Sequence, residues 1–203
     1  MIKFKDILLE DRLNILVPRR SKEERDAAYK VMINRKIQDY IKNGSKSTLD
    51  LSFENITELP PNLKYVGGDL ILSYSKIIKL PDNLEVKHGL YLNHTPISEL
   101  PNGLQIGGTF EITDTSNLRS LPNDIKIGGN LYAMHCNLER LPDNLILNNG
   151  ELVLRGSRLS QFPVGLVVNG EVDISLTPLA KKGITQNDLD KYFRNVNRVR
   201  VYD

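Results

Sequence analysis

The chain has 203 residues, with 27 Lys and Arg against 25 Asp and Glu, and it contains one Cys. A single Cys excludes a disulfide framework and a zinc site built from thiolates, and it fits a reducing compartment. The segment from Met1 to Leu9 lacks the apolar run of a secretory signal, and no stretch approaches the roughly 20 apolar residues of a membrane span. We therefore expect a cytoplasmic protein without a membrane segment.

Residues 1–46 are predicted to form an N-terminal arm and a helical cap. Met1–Leu16 indicates a short helix or a docking arm, which ends before Pro18 because proline disfavours helical geometry at the residue that precedes it. Ser21 and Glu24 then form a capping box, which starts a second helix. Apolar residues recur on one face of this helix at helical spacing: Tyr29, Ile33, Ile37, Tyr40 and Ile41. We expect this face to cover the open end of the array that follows.

Residues 47–179 repeat a pattern every 20 or 21 residues. One marker is Leu-Pro, which occurs at Leu59-Pro60, Leu80-Pro81, Leu100-Pro101, Leu121-Pro122 and Leu141-Pro142, with Phe162-Pro163 as the sixth copy. The other marker is a pair that ends in Gly, at Gly67-Gly68, His88-Gly89, Gly107-Gly108, Gly128-Gly129, Asn149-Gly150 and Asn169-Gly170. Two markers in phase over six copies predict a stacked array, in which each copy buries its apolar face against the next.

Each copy contains an alternation of apolar and other residues that predicts a short strand with one buried face. The apolar pairs are Leu49/Leu51, Leu70/Leu72, Leu90/Leu92, Phe110/Ile112, Leu131/Ala133, Leu152/Leu154 and Val172/Ile174. We expect about seven short parallel strands. Twenty residues leave no room for a helix on the return side, which should be extended or polyproline-like, and the Gly pairs should permit tight turns with positive φ.

This pattern resembles the leucine-rich repeat, Leu-x-Leu-x-x-Asn/Cys-x-Leu, in the short form with Leu-Pro found in bacterial effectors and in short bacterial and phage proteins. The resemblance covers about two-thirds of the chain. It departs from the family where the usual Asn is mostly a small polar residue: Ser75, Thr95, Thr115, Cys136, Ser157 and Thr177. We expect a hydroxyl there to bond the buried backbone where the chain leaves the strand. The resemblance implies an α+β repeat solenoid.

Residues 180–203 are predicted to be a C-terminal cap made of a helix and a strand. Thr185 with Asp188 is a plausible helix start. An apolar stripe follows at helical spacing, formed by Leu189, Tyr192, Phe193 and Val196. The alternation of Val199 and Val201 with Arg198 and Arg200 then predicts a last strand added to the sheet.

Two outward rows are expected on the strand side of the array. The residue between each apolar pair faces outward and forms the strand face: Asp50, Ile71, Tyr91, Glu111, Tyr132, Val153 and Asp173. A second row, here named the turn row, follows the strands: Phe53, Tyr74, His94, Asp114, His135, Gly156 and Leu176. Eight residues on this side are predicted to contact a partner: Ile71, Tyr74, Tyr91, His94, Tyr132, Met134, His135 and Val153. Exposed apolar patches with Tyr anchors typically mark contact surfaces, although cross-strand aromatic pairs can also serve only to stabilise a sheet.

The turn row also raises the hypothesis of a metal-dependent enzyme. Neighbouring His94, Asp114 and His135 can in principle bind a metal ion or move protons. The sequence offers no fourth ligand beside them, and side chains solvated on the surface of a repeat are the simpler interpretation. Cys136 lies at the Asn/Cys position of the repeat, which predicts a structural role for it.

The sequence favours a non-enzymatic module that binds a protein partner through its strand face and needs no cofactor. Nucleic acid is not an expected partner, because the basic residues Arg19, Arg20, Lys22, Arg25 and Lys30 are interrupted by Glu23, Glu24 and Asp26. The opening Met1–Glu10 resembles the N-terminal targeting peptides of internal capsid proteins of tailed phages, which are cut after Glu. That resemblance leaves open a structural or assembly role in a phage virion, with docking through the arm, and a location in the host cytoplasm or the virion.

Overall fold

A computed structural model describes residues 21–148, 150–184 and 198–201. Within these described ranges the chain forms a parallel β-solenoid of about six turns with one α-helix, which confirms the predicted repeat solenoid. The predicted arm Met1–Leu16, its cleavage after Glu10 and the predicted helix with the stripe Leu189–Val196 lie outside the described residues. A virion role through the arm therefore stays a prediction from the sequence.

Helix α1 spans Lys22–Lys42 and begins at the predicted capping box. The Ser21 amide donates to Glu24 Oε2 at 2.7 Å, and the Glu24 amide donates to Ser21 Oγ at 3.2 Å, so two free amides at the helix start are satisfied. The helix ends two residues before Gly44, which adopts a left-handed φ of 84°. Ile33 and Ile37 are buried. The chain divides between Ile37 and Gln38 into two compact units.

The solenoid consists of short parallel strands in two walls. In chain order they are β1 (Leu49–Asp50), β2 (Tyr65–Val66), β3 (Leu70–Ile71), β4 (Glu85–Val86), β5 (Leu90–Tyr91), β6 (Gln105–Ile106), β7 (Phe110–Glu111), β8 (Lys126–Ile127), β9 (Leu131–Tyr132), β10 (Ile146–Leu147), β11 (Leu152–Val153), β12 (Val167–Val168), β13 (Glu171–Asp173) and β14 (Arg198–Arg200). Strands β1, β3, β5, β7, β9, β11, β13 and β14 form one eight-stranded sheet in that order. The seven array strands and the last strand were thus predicted correctly.

The register of the eight-stranded sheet places equal repeat positions side by side. Leu70 pairs with Leu49 and with Leu90, and Ile71 pairs with Asp50 and with Tyr91. Because side chains alternate between the two faces of a strand, this register stacks every Leu-x-Leu core residue inward and every strand-face residue outward. The strand face is therefore a continuous row across the sheet.

The return side forms a second wall of strands, which the sequence interpretation described only as extended. Strands β2, β4, β6 and β8 make a four-stranded parallel sheet, and β10 pairs with β12. In each of these strands the second residue is buried while the first is exposed or half-buried, as for Tyr65 and Val66. The recurring apolar residue before each core strand carried this signal, but one recurring apolar position per copy shows no alternation, unlike the Leu-x-Leu pair of the core strands.

The space between the walls is filled by columns of equivalent apolar residues. The residues of the Leu-Pro column are buried at Leu59, Leu80, Leu121, Leu141 and Phe162. Leu100 occupies the same repeat position, but it is only half-buried. The column that follows each small polar residue is buried throughout: Ile56, Ile77, Ile97, Leu118, Leu138, Leu159 and Leu179.

The predicted row of small polar residues is buried and bonds the backbone. The Oγ1 atoms of Thr95 and Thr115 donate to the carbonyl oxygens three residues earlier, each at 2.7 Å. The Cys136 thiol makes the same contact with the Ala133 carbonyl at 3.0 Å. A buried carbonyl without a donor would cost about 1–3 kcal/mol, so these side chains satisfy the backbone at the point where it leaves the strand.

The Gly pairs serve close packing, and the expectation that they adopt positive φ was wrong. None of the pair glycines among the described residues has a φ in the left-handed region. A Cβ atom at Gly128 would overlap the carbonyl oxygen of Gly107 in the preceding turn. The second copy also differs from the predicted alignment of the Gly pairs. Because Leu90 pairs with Leu70, His88 corresponds to Gly68, and Gly89 lies one position after the pair.

We predict that Gly128→Ala destabilises the solenoid by about 1–3 kcal/mol, since the added methyl group must push neighbouring turns apart. The control is Lys87→Ala, because Lys87 occupies the same repeat position but already carries a Cβ atom. That change should stay within about 0.5 kcal/mol. Urea unfolding followed by circular dichroism measures both values, and equal losses for the two variants would contradict the packing explanation.

Candidate functional site

The strand face brings its apolar and aromatic residues together in two groups. Ile71 lies beside Tyr91, and Tyr132 lies beside Val153, in the register of the sheet. Glu111 separates the groups, because it pairs with Tyr91 on one side and with Tyr132 on the other. These four predicted contact residues are half-buried, so the predicted patch exists as two halves around a carboxylate.

The Tyr91 ring occupies the space beside Gly89, which has no side chain. A Cβ atom at residue 89 would lie 2.6 Å from Tyr91 Cε2, so the ring covers the space that Gly89 leaves empty. Burial raises the pKa of Tyr91, and the negative charges of Asp69 and Glu111 raise it further. The Tyr91 phenol therefore stays neutral to a higher pH than an ordinary tyrosine does.

Tyr132 is held by the next turn. Its hydroxyl donates to Glu151 Oε2 at 3.1 Å. Burial raises the pKa of Tyr132, and the hydrogen bond to Glu151 and the charges of Glu151 and Glu111 add to this effect. A shallow depression beside the ring is lined by Asn130, Glu151 and Glu171 as well. Both strand-face tyrosines thus lie next to carboxylates.

Negative charge dominates this wall of the solenoid. Six carboxylates lie on the strand face, just before a core strand or at its first residue: Asp50, Asp69, Glu111, Glu151, Glu171 and Asp173. Among the described residues on this wall, Arg200 pairs with Glu171, with Arg200 Nη2 at 2.7 Å from Glu171 Oε2. Arg155 is exposed two residues after Val153. The wall is therefore complementary to a cationic surface.

The turn row contains three of the predicted contact residues, Tyr74, His94 and His135, in left-handed backbone. Their φ values are 62°, 54° and 52°. From Phe53 to Gly156, each amide in this row donates to a carbonyl of the next turn, for example Tyr74 N to Asn93 O at 2.9 Å. The left-handed conformation thus adds one more backbone hydrogen bond between successive turns, which explains why it recurs along the row.

The first members of the turn row form a stack of rings. The centroids of Phe53 and Tyr74 are 4.8 Å apart with an interplanar angle of 2°, and those of Tyr74 and His94 are 4.4 Å apart. His94 Nε2 lies 3.4 Å from Asp114 Oδ2, which ends the stack. Phe53 was placed in this row from the sequence but not among the predicted contact residues. Its position in the row, next to Tyr74, was the signal that could have found it.

The proposed triad of metal ligands does not assemble as a group. The His135 ring leans over Gly156, where a Cβ atom would lie 2.6 Å from His135 Nδ1, whereas His94 faces Asp114. Within the parts of the chain that the structure describes, no group of three His, Cys, Asp or Glu side chains could hold a metal ion. Cys136 is buried, and burial raises the pKa of its thiol, so the reactive thiolate is disfavoured. Met134, which immediately precedes the turn-row residue His135, is half-buried.

No protein-family model matches the chain, and a search among curated proteins also found no match. In the described ranges no helix is both long enough and apolar enough to cross a membrane. Function must therefore be inferred from the geometry of the two outward rows.

We predict that Glu151→Gln lowers the pKa of Tyr132 but leaves it above the ordinary value of about 10, because burial remains. The raised pKa also means that the tyrosine stabilises the fold below pH ~10, and that this contribution is lost as the pH rises through the folded-state pKa. Spectrophotometric titration of tyrosinate, taken as the difference from Tyr132→Phe, measures the shift. Glu85→Gln on the second wall is the control, and an unchanged Tyr132 curve in Glu151→Gln would contradict the assignment.

Proposed function

We propose that this chain is a non-enzymatic binding module whose strand face docks a protein partner with a basic surface. One observation carries the proposal: two half-buried tyrosines, Tyr91 and Tyr132, lie on one row on either side of Glu111. Tyrosine is enriched among residues that dominate binding energy, because it buries a large ring at a low cost in side-chain entropy.

The charge of the surroundings supports a basic partner. Asp69 and Glu111 lie close enough to Tyr91 to raise its pKa, and Glu151 bonds the Tyr132 hydroxyl. A partner lysine or arginine on this face would meet both a carboxylate and the face of an aromatic ring, which attracts cations. The same negative charge opposes the binding of nucleic acid phosphates.

The rigidity of the wall supports direct docking. The strand-face residues are fixed by ladder bonds on both sides, such as Leu72 N to Tyr91 O at 2.9 Å and Leu92 N to Glu111 O at 2.8 Å. Side chains on a fixed backbone lose little freedom on binding, which leaves more of the contact energy for affinity. We further propose that the array is of the leucine-rich-repeat type with caps at both ends, as the resemblance implies. The buried hydroxyl row supports this type.

The test is substitution of the two anchors. In Tyr91→Ala and Tyr132→Ala we expect the partner that co-purifies with the tagged chain to be lost. Once the partner is identified and purified, each change should raise Kd roughly 30-fold, the effect of a central anchor worth about 2 kcal/mol. Pull-down followed by mass spectrometry identifies the partner, and titration calorimetry measures Kd.

Tyr65→Ala is the matched control, because Tyr65 is an exposed tyrosine on the second wall. Thermal unfolding should show that all three variants keep the fold. Binding that survives in both anchor variants, or that falls equally in Tyr65→Ala, would rule out the strand face as the docking surface.

A further inference from the structure

Glu111 differs from the other carboxylates on its wall. Each of the other five has a hydrogen-bond or ion-pair partner within the protein. These partners are the Ser52 amide for Asp50, the Gly89 amide for Asp69, the Tyr132 hydroxyl for Glu151, Arg200 for Glu171 and the Ser175 amide for Asp173. The Glu111 carboxylate makes no hydrogen bond or ion pair with any residue that the structure describes. The other five charges thus stabilise neighbouring groups of the fold, whereas that of Glu111 does not.

The repeat does not require a carboxylate at this position. Equivalent residues in other turns are apolar or aromatic, as for Ile71, Tyr91 and Val153. Glu111 is half-buried in the middle of the sheet, where a charge loses part of its hydration without gaining a partner. Neither the ladder nor the core therefore explains an acidic side chain here, and its charge points to a group outside the chain.

No lysine or arginine lies beside Glu111 in the adjacent strands. The in-register residues 89–93 on one side and 130–134 on the other contain neither residue type. Arg155 lies two turns away and two positions further along its strand, which puts its Cα atom about 12 Å from that of Glu111. Glu111 is thus flanked by tyrosines and not by a counter-charge.

The groups around Glu111 favour an ammonium group. Tyr91 and Tyr132 lie in the adjacent strands, about 4.8 Å away on either side. After burial, the charge of Glu111 is among the causes that raise the pKa of both tyrosines, so its carboxylate lies near both phenols. Tyr132 uses its proton on Glu151, which leaves its oxygen free to accept a hydrogen bond. Three acceptors from three successive turns are therefore available to one cation.

The shape of the cation decides between lysine and arginine. An ammonium group carries three N–H donors that point in different directions, so it can reach the carboxylate and both phenol oxygens. A guanidinium group holds its donors in one plane, which suits a carboxylate alone. The aromatic rings attract either cation and do not distinguish them.

We propose that the Glu111 carboxylate, with Tyr91 and Tyr132 on either side, receives a lysine ammonium group of the basic partner. This inference rests on the proposed function, because it names the partner group that the strand face binds. The carboxylate supplies the opposite charge, and the phenol oxygens accept the remaining N–H groups. Because the site is only half-buried, the strongly hydrated ammonium group keeps contact with water.

The probes are four Gly-Ser peptides that carry Lys, Arg, trimethyl-lysine or norleucine at one central position. Acetylated and amidated termini leave the central side chain as the only charge. Trimethyl-lysine keeps the charge but has no N–H donor, and norleucine has neither. We expect the Lys peptide to bind the wild type most tightly and the norleucine peptide not to bind. Titration followed by NMR, on the amide signals of Glu111 and its neighbours, measures these weak affinities.

The loss-of-function variant is Glu111→Gln, which keeps the shape of the side chain and removes its charge. Binding of the Lys peptide should weaken roughly 3- to 10-fold. The midpoint of thermal unfolding should not fall, because this charge has no partner in the described fold. Glu85→Gln is the matched control, since it removes an exposed carboxylate from the second wall and should leave binding unchanged.

Three results would overturn the proposal. They are an equal effect of the two Gln variants, an Arg or trimethyl-lysine peptide that binds the wild type as tightly as the Lys peptide, or no binding of the Lys peptide at all. If the partner is lost in Tyr91→Ala and Tyr132→Ala while Lys-peptide binding ignores Glu111, the strand face stands and the lysine assignment falls. If the partner survives in those variants while Lys-peptide binding still requires Glu111, the proposed function fails by itself.

Discussion

The backbone ladder between successive turns is the constraint on which the rest of the structure depends. One turn of about 20 residues cannot bury its own apolar face, so each turn is stable only when it is hydrogen-bonded and packed against the next. In the eight-stranded sheet each turn donates amide hydrogens to the following one, as Leu70 does to Gly89 at 2.8 Å. In the second wall the direction reverses, and Glu85 donates back to Lys64 at 2.9 Å. The two walls together fix the register of every turn.

The ladder also creates the candidate site. Because pairing is in register, residues that are 20 or 21 positions apart in the sequence become neighbours on the surface. Tyr91, Glu111 and Tyr132 come from three different turns and still form one row. The same constraint forces the turn row into left-handed backbone, since its amides must reach the next turn. Stacking of Phe53 on Tyr74 offsets part of that strain.

Features that repeat could be predicted from the sequence, because a repeat reports the same physical requirement many times. The core strands, the buried hydroxyl of Thr115 and the inward Ile97 column all follow from a position that recurs in each copy. The second wall was missed because each copy has only one recurring apolar position there, such as Val66, and the role of Gly128 was misjudged. Sequence cannot distinguish a glycine needed for positive φ from one needed for close approach, since both requirements exclude a side chain.

Features that depend on which copies are neighbours were harder to predict. Tyr91 and Tyr132 were recognised as outward residues, but the carboxylate of Glu111 between them divides the predicted patch. The ring stack required knowledge of the angle at which side chains leave the turn row. His135 shares that row with His94 and still leans over Gly156, because only a copy without a side chain leaves room for its ring. Such choices depend on local packing, which the repeat pattern does not encode.

A photo-crosslink tests most directly the central claim, that the partner docks on the strand face. Benzoylphenylalanine placed at Val153, beside Tyr132, should crosslink to the partner in the assembled complex. The same group at Tyr65 on the second wall should not. Crosslinks from residue 65 in the absence of crosslinks from residue 153 would contradict the account, because they would place the partner on the opposite wall of the solenoid.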